Sequence, residues 1–240
     1  MRIAVLSDIH SNLVALDAVL AAIGSVDAIW HLGDVVGYGP EPDGVVARLS
    51  EAGAIGVRGN HDAAAVGGPE IDWFNHDARR AMEWTKATIS ETTRTWLAAQ
   101  PQRRTEAGIA LVHGSPRDPT WEYVTSIPVA RANFEVLETR LGLFGHTHLP
   151  TAFRDDDGRL EHISPSRGSE LDLGTGRFLV NPGSVGQPRD GDPMASYLLL
   201  DTERLMCRWE RVEYDVAAVQ AAMAERGLPS QLAVRLSFGL

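Results

Sequence analysis

Five short, mainly apolar runs, each followed within three residues by Asp, Asn or His, are the feature that most constrains the fold of this 240-residue chain. Runs of four or five apolar residues are typical of strands buried on both faces. Because ligands of a parallel sheet lie beyond the carboxyl ends of its strands, we expect these polar termini to meet at one edge of a sheet. The five runs occupy residues 3–6, 28–32, 54–57, 109–112 and 141–144.

Helical patterns separate the first strands, and the alternation predicts a parallel sheet. The clearest helix has Leu13, Leu16, Leu20 and Ile23 on one face, with Ser11 or Asn12 as its N-cap. Further helices are predicted over residues 42–52, 127–138, 214–226 and much of 72–98.

The chain becomes strand-rich after residue 148. A hairpin is predicted with Asp155-Asp156-Asp157-Gly158 at its tip. Further strands are predicted at residues 171–180, 195–200, 205–211 and 231–236. The fold class is therefore α/β, with two packed mixed β-sheets flanked by helices. We expect a single domain over residues 1–240, with a helical insertion around 65–100.

The balance of charges and the apolar segments narrow the range of partners. The chain has 22 Lys and Arg against 32 Asp and Glu, a formal charge of −10, which disfavours binding to a long nucleic acid. Cys207 is the only cysteine, and no apolar run approaches the ~18 residues of a membrane span. The first apolar run reaches Asp8 too soon for a signal peptide. We expect a cytoplasmic protein that does not bind membranes, and assembly into a homo-oligomer stays open.

The residues that follow the strands form a set of potential metal ligands without thiolates. Imidazole nitrogens and carboxylate oxygens are suited to Mn, Zn, Fe, Ni or Co. An Asp can bridge two cations, and two cations ~3.5–4 Å apart can clamp a phosphoryl group and supply a hydroxide nucleophile. The set consists of Asp8, His10, Asp34, Asn60, His113, His146 and His148.

The order of these motifs resembles the calcineurin-like metallophosphoesterase superfamily, and most closely its compact bacterial and archaeal phosphodiesterase branch. A later segment, Asn181-Pro182-Gly183-Ser184, is also similar to that branch. The motifs that carry the resemblance are Asp8-x-His10, Gly33-Asp34, Gly59-Asn60-His61-Asp62, His113-Gly114 and Gly145-His146-Thr147-His148.

The resemblance implies a role for each residue. It assigns Asp8, His10 and His148 to one metal ion, and Asn60, His113 and His146 to a second, with Asp34 bridging both. It implies that His61 is a catalytic residue and not a ligand, which contacts the substrate phosphate or protonates the leaving oxygen. Some family phosphatases pair this His with an Asp three residues after the bridging Asp, where this chain has Gly37.

The expected activity is dinuclear-metal-dependent hydrolysis of a small phosphate ester, with a diester favoured over a monoester, by attack of a metal-bound hydroxide. The cofactors would be two divalent or trivalent transition-metal ions. The alternatives are a phosphomonoesterase acting on a protein or small molecule, and an inactive protein-interaction scaffold.

The sequence leaves the roles of several further residues open. Tyr38 could border the pocket, and Arg189 could bind a phosphate or form a surface salt bridge. Trp73-Phe74 and Trp121-Glu122-Tyr123 could shape a pocket or an interface. We interpret His31 as a core residue or as a residue that supports a metal ligand, and His162 as a surface residue. His76 could face the substrate, but a structural role is favoured.

Overall fold

The computed structural model of the chain describes residues 1–68 and 73–240, which contain two six-stranded mixed β-sheets. In spatial order, the first sheet consists of β3 (Ile55–Gly56), β2 (Ala28–His31), β1 (Arg2–Leu6), β11 (Ala195–Asp201), β12 (Met206–Val212) and β9 (Glu170–Asp172). The second consists of β4 (Arg103–Glu106), β5 (Ile109–Val112), β6 (Leu141–Leu143), β10 (Arg177–Pro182), β7 (Pro150–Asp156) and β8 (Arg159–Ile163). The predicted two-sheet α/β architecture is confirmed.

Strand β1 explains why the apolar runs are continuous. Its alternate side chains, Ile3 and Val5, lie in the core that side chains of both sheets share, whereas Ala4 and Leu6 lie in the core between the first sheet and its helices. Both faces of the strand are thus buried. β1 is parallel to β2 and β2 to β3, as the alternation of strand and helix predicts, but β1 is antiparallel to β11 on its other side.

The helices flank the sheets, and the first begins as predicted. Asn12 is the N-cap of α1, where its side-chain oxygen accepts a hydrogen bond of 3.1 Å from the Ala15 amide. The helices are α1 (Leu13–Ala22), α2 (Pro42–Glu51), α3 (Asn60–Ala65), α4 (His76–Thr88), α5 (Glu91–Ala99), α6 (Ile127–Val136), α7 (Val216–Glu225) and α8 (Ser230–Leu236).

The helical segment predicted over 72–98 contains two helices, because α4 ends at Thr88 with Ile89 as its C-cap and Ser90 then caps α5. Its first residue, 72, lies outside the described residues, as do 69–71 of the proposed insertion. The single domain and the bounds of the insertion around 65–100 stay predictions.

The prediction of a last strand over 231–236 is wrong, because these residues form α8. Leu232 and Leu236 are four residues apart, which is a helical spacing, and both are buried in a cluster with Val219 and Met223 of α7. The strand predicted over 171–180 is also interrupted: β9 and β10 are separate, and they belong to different sheets.

The expectation that the polar termini meet at one edge of a single sheet is also wrong. The runs before Asp8, Asp34 and Asn60 belong to the first sheet, whereas those before His113 and His146 belong to the second. The two sheets stack so that these ends adjoin, and His113 Nε2 lies 3.3 Å from Asp34 Oδ2. The site therefore lies between two sheets.

His31 is a fully buried core residue, as predicted, and its ring lies 5.4 Å from that of Trp96. Neither of its ring nitrogens has a hydrogen-bond partner among the described residues. Burial, together with the positive charge of Arg104, lowers the pKa of His31 to about 3.

We expect His31 to make the fold acid-sensitive. Below pH 6.5 the unfolded imidazole binds a proton, which the folded one does not bind until about pH 3. The contribution of His31 is therefore complete above pH 6.5 and is lost, at about 1.4 kcal/mol per pH unit, as the pH falls toward 3. Denaturant unfolding of metal-free protein at pH 7.5 and pH 5 should give a smaller pH dependence for His31→Leu than for wild type. Equal pH dependence would contradict this.

Candidate metal centre

The loops that follow the strands turn sharply at the predicted ligands. Residues other than glycine rarely adopt positive φ angles, and such residues cluster at functional sites at a cost of ~1–3 kcal/mol each. Five of the seven predicted ligands have this backbone conformation. They are Asp8 (φ 52°), His10 (50°), Asp34 (51°), His146 (65°) and His148 (61°).

Glycines allow these loops to approach one another closely. A Cβ atom on Gly59 would overlap Asp34 Oδ1, and one on Gly145 would overlap the Ser7 hydroxyl and lie 3.0 Å from Asp8 Oδ2. The glycines of the third and fifth motifs are therefore required because carboxylates of the centre occupy the space of a side chain.

Three imidazoles are oriented by main-chain carbonyl groups. The Nδ1 atoms of His10, His113 and His148 lie 3.3, 2.8 and 2.6 Å from the carbonyl oxygens of Val36, Leu32 and Gln187. Since a carbonyl can only accept, each Nδ1 carries the proton and donates it. The opposite nitrogen, Nε2, is left for the centre of the cluster, which is the usual arrangement of histidine ligands.

The nitrogens of His10 and His148 meet at a place that suits a cation. Their Nε2 atoms are 3.2 Å apart, and burial lowers the pKa of both rings well below the usual value, so both rings are neutral. Two lone pairs therefore face each other. Asp8 Oδ1 lies 3.3 Å from His148 Nε2 and is buried without a hydrogen-bond partner among the described residues. These donors fit a metal ion.

Asp34 lies at the middle of the cluster. Its Oδ2 is 3.3 Å from His113 Nε2 and 3.8 Å from His10 Nε2. Possible ligand atoms lie within 4.8 Å of one another in the group Asp8, His10 and His148, and also in the group Asp34, His113 and His146.

The seventh predicted ligand joins the second group. Asn60 Oδ1 lies 3.0 Å from His113 Nε2. The structure thus brings all seven predicted ligands together. A third group, His10, Asp34 and His61, satisfies the same criterion, so the exclusion of His61 from the metal ligands stays a prediction.

Asp34 and His113 form a buried ion pair. Burial raises the pKa of the Asp34 carboxyl, but the charges of His113 and His61 outweigh it and hold this pKa well below the usual value. Burial likewise lowers the pKa of His113, but the charge and hydrogen bond of Asp34 prevail and raise it to about 9. Burial and the nearby charge of Asp34 raise the pKa of Asp8 to about 7.

His61 contacts Met82, because Gly37 stands where some family phosphatases have the Asp that pairs with this His. Its Nδ1 lies 3.1 Å from the sulfur of Met82, and its ring stacks on Phe74 with a centroid distance of 4.5 Å. A Cβ atom on Gly37 would overlap His61 Nδ1. The glycine therefore provides room for the ring, and the thioether and Phe74 fix its position.

The residues that hold the ligands were largely missed by the sequence analysis. Ser7 donates to Asp8 Oδ2 at 2.7 Å, and Ser184 donates to the Asp8 carbonyl at 2.8 Å. Asn181 donates to the Gly145 carbonyl at 2.7 Å, and Asp62 accepts from the amides of Val36 and Gly59 at 3.0 Å. The Asn-Pro-Gly-Ser motif contains Asn181 and Ser184, but the motif alone does not predict which groups they bind.

A cavity of about 240 Å³ opens over the cluster, with Asp34, Asn60, His61, His146 and His148 among its lining residues. Its wall also includes Tyr38, Arg189, Trp73, Phe74, Trp121 and Tyr123, so Tyr38 borders the pocket. Glu122 and His76 do not line it: Glu122 pairs with Arg117, and the exposed His76 contacts Asp77.

Residues 1–205 match the model of the calcineurin-like phosphoesterase superfamily domain. The chain belongs to this superfamily. A metallophosphoesterase from Sphaerobacter thermophilus is 44% identical, with a TM-score of 0.92 over 100% of this chain and 99% of that chain. The resemblance inferred from the five motifs is thereby confirmed.

Two curated proteins are similar along most of the chain. A protein of Methanocaldococcus jannaschii is 35% identical over 245 residues, which cover 99% of this chain and 98% of the relative. Phosphodiesterase YfcE of Escherichia coli is 30% identical over 217 residues, which cover 85% and 90%. Within the described residues of the present chain, no helix is long and apolar enough to cross a membrane.

We expect metal binding to release a proton from His113. In the metal-free protein the pKa of His113 is about 9, so a cation must displace its proton at neutral pH, whereas His10, His146 and His148 are already neutral. Mn²⁺ affinity should rise by up to about tenfold per pH unit between pH 7 and 9. Calorimetry in buffers of different ionisation enthalpy would count the protons.

A matched pair of variants identifies the titrating group. His113→Gln should abolish the proton release in this window, whereas His162→Gln, which removes an exposed imidazole of β8, should leave it unchanged. An affinity that is independent of pH above 7 in wild type would refute this assignment.

Proposed function

We propose that this phosphoesterase family member is a dinuclear-metal-dependent hydrolase that favours phosphodiesters. The observation that carries the proposal is the pair of neutral nitrogens on His10 and His148, 3.2 Å apart beside the unpartnered Asp8 oxygen. One cation would be held by Asp8, His10 and His148, and the other by Asn60, His113 and His146. Asp34 would bridge them.

Two bound cations supply Lewis acidity toward the phosphoryl oxygens and lower the pKa of water so that it can act as nucleophile. The chain holds the ligands at fixed positions through the carbonyl groups of Leu32, Val36 and Gln187. Burial excludes water, which strengthens every charge–charge interaction in the cleft. His61, which lines the cavity, would bind the phosphate or give a proton to the leaving oxygen.

The preference for diesters rests on the relative named phosphodiesterase YfcE, and a monoesterase is its alternative. An inactive scaffold is disfavoured by the complete donor set and by the backbone strain at five of its members.

Asp34→Asn tests the bridging role. The substitution keeps the shape of the side chain but removes the charge that holds two cations together. We expect a lower metal content by plasma mass spectrometry and loss of metal-dependent turnover on a panel of nitrophenyl diesters and monoesters. Wild-type protein that is stripped and reloaded with Mn²⁺, Zn²⁺ or Fe²⁺ should hydrolyse diesters faster than monoesters.

The control is Asp157→Asn, which removes a charge from the exposed tip of the β7–β8 hairpin at a positive φ that Asn tolerates. It should keep both metal content and turnover. Stripped protein that is as active as reloaded protein would refute the metal mechanism. A faster rate on monoesters would refute only the diester preference.

His61→Ala separates binding of the metals from catalysis. Because His61 is not among the proposed ligands, metal content should stay near that of wild type, while turnover falls by ~10²–10⁴-fold, as expected for a positioned general acid. Alkyl diesters should lose more than nitrophenyl diesters, because nitrophenolate is a stable leaving group. Equal losses would assign His61 to phosphate binding, and loss of a metal ion would make it a ligand.

A further inference from the structure

An aromatic platform stands at the mouth of the cavity. The rings of Trp73 and Trp121 lie 5.3 Å apart, and Trp121 also contacts Phe74 at 5.9 Å. Trp73 is 74% exposed, so the platform is not explained by core packing. Large exposed aromatic faces beside a polar cleft are typical of surfaces that stack on flat rings of a ligand.

The platform adjoins the candidate ligands themselves. The ring of Tyr123 stacks on that of His146 at 4.0 Å, and the ring of Trp121 lies edge-on to His146 at 6.2 Å. A substrate whose ring system contacts Trp73 and Trp121 can therefore place a phosphate above the cluster of candidate ligands.

Two guanidinium groups also line the cavity. Arg189 lies over the ring of Tyr38, 5.9 Å from its centroid, and Tyr38 in turn contacts His10 at 4.6 Å. Arg235 comes from α8 and donates from Nε to the main-chain oxygen of Leu240 at 2.6 Å. Arg189 donates from Nη2 to Gln187 Oε1 at 2.9 Å. Neither guanidinium forms an ion pair with an Asp or Glu side chain in the described parts of the chain.

The two guanidinium groups are close enough to repel each other. Burial, followed by the charge of Arg189, lowers the pKa of Arg235. Arg189 Nε is buried and has no hydrogen-bond partner within residues 1–68 and 73–240. Two guanidinium groups without Asp or Glu partners at one cavity favour an anionic ligand group.

We propose that the substrate is a nucleotide with a second phosphate: the nucleobase stacks on Trp73 and Trp121, and Arg189 and Arg235 bind the phosphate that is not cleaved. The inference rests on the proposed hydrolase activity and specifies its substrate. The base of such a nucleotide supplies the flat ring for the aromatic platform, and the second phosphate supplies the anion for the two guanidinium groups.

Three diesters with the same nitrophenolate leaving group test the inference on Mn²⁺-reloaded protein. They are methyl nitrophenyl phosphate, the nitrophenyl ester of thymidine 5′-phosphate, and the same nucleotide with a 3′-phosphate. We expect the base to raise kcat/KM roughly five- to hundredfold, the range of base–aromatic stacking. The 3′-phosphate should add roughly tenfold, and this gain should shrink with rising salt.

Variants assign each gain to its residues. Trp73→Leu should bring the ratio of kcat/KM between the base-containing and base-free diesters close to one, and Trp73→Phe should restore part of it. Arg235→Gln should remove the gain from the 3′-phosphate. Arg159→Gln, which removes an exposed charge from β8, should change neither ratio.

The possible outcomes distinguish failure of the nucleotide assignment from failure of the proposed hydrolase activity. If none of the three diesters is hydrolysed, the proposed function fails and the substrate assignment fails with it. If all three are hydrolysed at equal kcat/KM, the hydrolase stands and the nucleotide assignment is overturned. A base-dependent gain that persists in Trp73→Leu would also overturn it.

Discussion

The repulsion between unprotonated nitrogens in a buried cluster is the constraint on which the rest of this structure depends. His10 and His148 direct lone pairs at each other across 3.2 Å, beside a carboxylate oxygen of Asp8 with no partner among the described residues. Buried polar atoms without partners destabilise a fold by ~1–3 kcal/mol each. Such an arrangement persists only where surrounding contacts over-determine it, and it is stabilised when a cation occupies the space between the donors.

The surrounding contacts come from parts of the chain that are far apart in sequence. The Ser184 hydroxyl binds the carbonyl of Asp8, and the Gln187 carbonyl orients His148. Asn181 holds the carbonyl of Gly145, next to His146. The strand-rich part of the chain after residue 148 therefore supplies none of the proposed ligands, but it holds ligands that the earlier part supplies.

The strands and the candidate ligands were predictable because their signals are local. The apolar run at residues 3–6 is typical of a strand buried on both faces, as β1 is, and the polar residues that follow it lie at the strand end. By contrast, whether β5 and β6 join the same sheet as β1 depends on tertiary pairing, and the sequence pattern carries no information on it.

The failures have the same cause. The segment Gln231–Leu236 contains Leu, Val and Leu at alternate positions, which favours a strand, but the packing of Leu232 and Leu236 on α7 selects a helix. That helix then brings Arg235 to the cavity. Met82 was equally unpredictable, because a methionine in a helix of mixed composition becomes a neighbour of His61 only through the fold.

The distribution of charge in the site reconciles an acidic protein with an anionic substrate. Of the seven proposed ligands only Asp8 and Asp34 can carry a negative charge, and the amide of Asn60 adds none. Two divalent cations would therefore leave the centre with an excess of positive charge, and Arg189 and Arg235 add to it locally. The net charge of −10 repels a long polyanion over distance. A small phosphate ester that enters the cavity instead meets mainly the local field, because ions screen the distant surface charges beyond ~8–10 Å. If the proposed substrate is correct, the same chain would repel long nucleic acids and attract single nucleotides.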